Sequence, residues 1–77
     1  MEQELELPKG AKILSVQFQH GEFQLWADCD LESTEFEKRT IKFIATGHPF
    51  IPDGLVYIGT VQQNSGAFIW HIYEVEK

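Results

Sequence analysis

The stretch that decides the fold reads Lys12-Ile13-Leu14-Ser15-Val16-Gln17-Phe18-Gln19-His20-Gly21-Glu22-Phe23-Gln24-Leu25-Trp26-Ala27. Apolar and polar side chains alternate along its first half. Leu14, Val16 and Phe18 fall on one face and Ser15, Gln17 and Gln19 on the other, which is the period of a half-buried strand. A two-residue turn at His20-Gly21 then sets Phe18 beside Phe23, Val16 beside Leu25 and Leu14 beside Ala27. Each apolar residue meets an apolar one, and a slip of one position would turn one strand's apolar set to solvent, so the register is specified. Gly21 supplies the positive φ that the tight turn demands. On the polar face the same pairing puts Trp26 across from Ser15, an indole on an otherwise polar surface.

Toward the N-terminus, residues 1–11 read as a polar lead-in in which Glu2, Glu4 and Glu6 alternate with Gln3, Leu5 and Leu7 before the Pro8-Lys9-Gly10 break. Such a segment either frays or adds an edge strand. Toward the C-terminus, residues 28–35 form an acidic connection. A third strand follows, with Arg39, Ile41, Phe43 and Ala45 alternating against Lys38, Thr40, Lys42 and Ile44, and it closes at Thr46-Gly47. Residues 47–54 hold two of the chain's three prolines and two of its six glycines, the composition of an ordered loop. The last two strands, residues 55–62 and 67–75, join through Asn64-Ser65-Gly66. Pairing Gln63 with Ala67 sets Val61 beside Ile69, Tyr57 beside Tyr73 and Leu55 beside Val75. On the other face it sets Ile58 against Ile72 and Thr60 against Trp70, while Gly59 opposes His71 and leaves room for its ring. The expectation is a single all-β domain over residues 12–77 after the lead-in, with about five antiparallel strands in a hairpin meander that forms a small curled or barrel-like sheet.

A chain of 77 residues supports one thin core, because ordering costs roughly 1.5 kcal/mol per residue and nearly cancels what burial returns. Disulfides cannot help, since Cys29 is the only cysteine. His20, His48 and His71 stand too far apart for paired zinc-ligand spacing, so no metal and no cofactor is expected. Six Phe, two Tyr and two Trp are more aromatic surface than one small core hides, which points to a homo-oligomer. The formal charge of −6 repels phosphate backbones and argues against nucleic acid as a partner. No apolar run approaches the ~20 residues of a membrane span, and the acidic start is unlike a signal peptide. A cytoplasmic protein without membrane contact is expected.

No nucleophile with a base, no carboxylate pair and no metal cluster stands out, so no catalytic residue is assigned. His48 and Asp53 share the 47–54 loop and suit base and orienter, yet a histidine beside prolines and an aspartate opening a turn explain them as well. His71 reads as a satisfied strand histidine, and Cys29 as a plain thiol in an acidic loop. Binding features are better represented. Trp26 and Trp70 offer planar faces for stacking, although core or interface packing is the ordinary use of tryptophan. Arg39, the sole arginine, sits with Lys38 and Lys42 in the one basic cluster and suits a phosphate or carboxylate, unless Glu35 and Glu37 satisfy it. Backbone amides beside Gly47, Gly54 and Gly59 can cradle an anion without net positive charge. The candidate ligand-binding set is Trp26, Arg39, Gly47, His48, Pro49, Asp53, Gly59 and Trp70.

Five strings, Leu7-Pro8-Lys9-Gly10-Ala11-Lys12-Ile13-Leu14-Ser15-Val16-Gln17, Leu25-Trp26-Ala27, Thr46-Gly47-His48-Pro49, Tyr57-Ile58-Gly59-Thr60-Val61-Gln62 and Trp70-His71-Ile72-Tyr73-Glu74, occur here in order. The set resembles a family of short uncharacterised bacteriophage and prophage proteins across residues 7–74. The resemblance carries no catalytic residues with it. It implies an accessory protein of a kind often used against host immunity, by masking a host protein or by soaking up a signalling nucleotide. The functional expectation is a non-enzymatic oligomer that sequesters a small nucleotide-like ligand. The alternative is an acidic inhibitor that presents Glu32, Glu35 and Glu37 to a host protein. A small nucleotide-acting enzyme using His48, His71 and Asp53 ranks third.

Overall fold

The described residues form six strands: β1 (Glu2–Pro8), β2 (Lys12–Gln19), β3 (Glu22–Asp28), β4 (Phe36–Ala45), β5 (Leu55–Gln63) and β6 (Phe68–Val75). They are arranged in a computed structural model that describes residues 1–47, 49–51, 53–63 and 66–76. All pairings are antiparallel. One sheet has the order β1-β4-β6-β5 and the other is the β2-β3 ribbon. The all-β expectation holds, with six strands in place of five.

The sixth strand is the lead-in, which takes the edge position and pairs from Glu2 opposite Lys42 to Pro8 opposite Phe36. Its period-two pattern explains this. Leu5 and Leu7 are half-buried, whereas Glu2, Glu4 and Glu6 line the solvent face and guard a free edge with charge. The meander expectation is corrected, because β6 lies between β4 and β5 in the sheet. The sheet does not close into a barrel. β6 carries Ile72, which is fully buried, and the position between two strands satisfies its backbone on both edges.

Register follows the expected pairing at the turn end of the ribbon and departs from it at the other end. Phe18 faces Phe23, Val16 faces Leu25 and Ser15 faces Trp26, but a bulge between Ile13 and Ser15 sets Ile13, not Leu14, opposite Ala27. Two adjacent apolar residues compete for one inward position. Ile13 packs on the core and Leu14 is turned out, 56% exposed. In the β5-β6 hairpin, Leu55–Val75 and Tyr57–Tyr73 pair as expected. Beyond a bulge at Ile58 the pairs become Gly59–Ile72, Thr60–His71, Val61–Trp70 and Gln63–Phe68. The connection is one residue longer than the sequence suggested, and the bulge absorbs the difference. Gly59 therefore does not make room for His71.

What Gly59 accommodates is the ribbon. A Cβ placed on it would lie 3.7 Å from Val16 Cγ1, and β2 lies against β5 along this contact. The core comprises Val16, Ile41, Phe43, Val61 and Ile72, with Leu5, Ile13, Phe18, Leu25 and Ile58 packed around them. Phe23 joins the layers, its ring centroid 5.1 Å from Phe18, 4.8 Å from Phe43 and 6.2 Å from Trp70. Such tilted and edge-on pairs contribute about 0.5–1.5 kcal/mol each beyond area burial.

Candidate functional site

Alternation along β4, β5 and β6 gives the four-stranded sheet two faces. Ile41, Phe43, Val61, Trp70 and Ile72 point to the ribbon, while Lys42, Ile44, Tyr57, Thr60, His71 and Tyr73 point away from it. Residues 49–51 lie over that outer face. Phe50 reaches Tyr73 with ring centroids 5.4 Å apart, and Tyr73 in turn meets Tyr57 at 5.5 Å. Between this segment and β4 lies an open concavity of about 340 Å³, lined by Met1, Lys42, Phe43, Ile44, Pro49, Phe50 and Ile51. Ile44 is buried in its floor, and Lys42 supplies a cation whose ion-pair partner is Glu2, 3.8 Å away and half exposed.

Beside this concavity runs a chain of hydrogen bonds whose directions can be worked out from one end. The Thr46 hydroxyl donates to the Ile69 carbonyl at 3.3 Å, so it accepts from His71 Nε2 at 2.9 Å. With the proton on Nε2, Nδ1 accepts from the Thr60 hydroxyl at 3.2 Å, and Tyr57 donates to Thr60. Both nitrogens of His71 are thus engaged in its neutral form, and the chain ties the end of β4 to β5 and β6.

The sequence-derived candidates do not converge. Arg39 points to the inner face and is bound internally: Nε and one terminal nitrogen reach the two oxygens of Glu74, the second contact at 2.9 Å, and the other terminal nitrogen donates to the Ala11 carbonyl at 2.7 Å. Glu37 lies 4.0 Å away and also accepts from the Gly10 amide at 2.8 Å. The hydrogen bond to Glu74 raises the Arg39 pKa above its ordinary value, against an opposing effect of burial. A raised value means that the pair's contribution is complete below the unfolded guanidinium pKa and is lost only as pH climbs through the folded one. The cluster clamps the β1-β2 turn onto β4 and β6. Trp70 donates to Gln63 Oε1 at 2.8 Å and packs on Phe23, which is a core role. Trp26 stands half-exposed on the ribbon's outer face opposite Ser15, and Gly59 lies under Val16.

Of the loop candidates, Gly47 occupies an exposed turn, Asp53 is exposed and Pro49 lines the concavity; His48 lies outside the described residues. Sequence reasoning missed Lys42, Phe50 and Tyr73 as neighbours in space. Lys42 was visible in the basic cluster and Phe50 in the Pro-rich loop, but only the fold joins them. Among the described residues no three His, Cys, Asp or Glu side chains gather as metal ligands would, and no helix is long and apolar enough to cross a membrane.

A family model described as a domain of unknown function, DUF7352, matches residues 1–77. The chain belongs to that family. No curated protein and no solved structure matches it. Family membership therefore extends over every element described above, including β1 and residues 49–51, without attaching a chemistry to any of them.

Proposed function

We propose that the chain is a non-enzymatic accessory protein of bacteriophage type, an antagonist of host immunity that holds a small nucleotide-like signalling ligand in an oligomer. The concavity under residues 49–51 is its seat. One observation carries this reading: an exposed-edge cation, an aromatic ring and a void of about 340 Å³ meet there, a volume within the range of about 300–1,000 Å³ typical of small-molecule sites. Lys42 takes the neutralising part that the sequence suggested for Arg39, and Phe50 the stacking part suggested for the tryptophans. An exposed ion pair such as Lys42–Glu2 is worth at most about 1 kcal/mol, so a phosphate can displace Glu2 at small cost. The phage origin rests on the resemblance of the five sequence strings.

A thermal-shift panel of cyclic dinucleotides and ADP-ribose-type molecules tests the reading. One compound should raise the melting temperature, and the rise should disappear in Lys42→Ala and in Phe50→Ala. A flat response over the whole panel removes the proposal. A second reading, an acidic inhibitor of a host protein, draws on Leu31. This side chain is 91% exposed at the tip of a turn closed by Ser33 N donating to the Asp30 carbonyl at 3.1 Å. Asp28, Asp30, Glu32 and Glu35 surround it in sequence. An apolar anchor ringed by carboxylates suits a basic-rimmed pocket, and a host protein recovered at low salt by the native chain but not by Leu31→Asp would favour this reading.

A further inference from the structure

The outer face of the β2-β3 ribbon carries a second unexplained feature. Leu14 and Trp26, 56% and 44% exposed, stand together there, because the bulge that seats Ile13 in the core turns Leu14 out beside the Ser15–Trp26 rung. Along that face the rungs run Lys12–Asp28, Ser15–Trp26, Gln17–Gln24 and Gln19–Glu22. Between the ends the face bears no charge, in a chain that is 23% charged. Apolar and aromatic side chains at the centre with charge only at the rim is the composition of a protein interface.

The molecule also exposes more surface than its mass accounts for. Its accessible area is 5568 Å², against roughly 4,800 Å² for a monomer of this mass. The surplus of roughly 750 Å² is close to one partner's share, about 800 Å², of a standard interface. The radius of gyration, 13.2 Å, likewise exceeds the roughly 11.5 Å expected for this length.

We propose that a second copy of this chain docks on this face, ribbon against ribbon, about a two-fold axis running along the strands. That axis lays β2 of one copy over β3 of the other, rung upon rung. Lys12 meets the second copy's Asp28, Gln17 meets its Gln24, and Trp26 packs on its Ser15 and Leu14. The axis duplicates the Lys12–Asp28 pair side by side at one end of the contact, as an isologous interface requires, and sets Gln19 against the second copy's Glu22 at the other. An axis across the strands would instead bring Asp28 onto the second copy's Glu22, and like charges so placed oppose docking. The ribbon face and the Lys42–Phe50 concavity share no residue, so the dimer supplies the oligomer of the proposed function without depending on its ligand.

Sedimentation equilibrium over a low-micromolar to submillimolar range tests it. The native chain should approach twice 8.9 kDa, and Trp26→Glu should weaken association by about tenfold or more while keeping the native circular dichroism, since the side chain points outward. Lys12→Asp should also weaken it, and combining Lys12→Asp with Asp28→Lys should restore it. A native chain that stays at monomer mass throughout overturns the proposal. So does a dimer indifferent to Trp26→Glu, or a double swap as weak as the single one.

Discussion

Gly59 shows how a single residue can be marked by the sequence and given the wrong neighbour. An isolated glycine inside a strand signals close approach, and the approach is real, but the group that comes near is Val16 of the other sheet. The bulge at Ile58 moved His71 one rung along, and no local pattern announces a bulge whose purpose is to absorb an extra loop residue. The geometry also fixes what substitution should do. A methyl at 3.7 Å is in ordinary contact, so Gly59→Ala should stabilise by about 0.5 kcal/mol through the unfolded chain's lost freedom. Gly59→Leu should cost about 1–3 kcal/mol by overpacking the seam. Urea denaturation of the two variants checks both signs. Arg39 illustrates the same limit in charge: of the two glutamates the sequence offered, Glu37 does lie 4.0 Å away, but the bidentate partner is Glu74 from β6.

At the scale of elements, the ribbon was legible except where the alternation is degenerate. Ile13 and Leu14 are both apolar, and the period of two cannot choose between them; packing chose Ile13. Removing Leu14 would leave Ile13, Val16 and Phe18 facing Ala27, Leu25 and Phe23 on an unbroken ladder. Its deletion is therefore expected to preserve the cooperative unfolding transition and to change stability by less than about 1 kcal/mol, the scale of an exposed-site substitution. Deleting Ser15 likewise removes the bulge, because Leu14 then takes its place opposite Trp26 on the outer face while Ile13 stays opposite Ala27, and should be equally mild. Equilibrium unfolding of the two deletions checks that both keep a cooperative transition. β1 was legible as a possible edge strand because its glutamates and leucines already kept the period; its partner was not, since the paired residues of β4 lie on the order of 30–40 positions away in the chain, from Pro8–Phe36 to Glu2–Lys42.

For the molecule as a whole, few side chains bear the load. Ile41 and Ile72 are the largest that are fully buried, and both belong to the single core that joins the sheets. Ile72→Ala should cost about 3–4 kcal/mol, most of the roughly 5 kcal/mol that a small domain possesses. Circular dichroism at dilute concentration should then show no cooperative melt near physiological temperature. By itself the sequence determined the all-β class, the His20-Gly21 turn, the registers next to it and the Tyr57–Tyr73 rung, because each depends on side-chain alternation and turn chemistry within a few residues. Only the tertiary structure decided that β6 enters between β4 and β5, that Arg39 is consumed by Glu74, and that Lys42 and Phe50 share a concavity. Those outcomes follow from which distant apolar faces cover one another, and packing of that kind is settled by the whole chain at once.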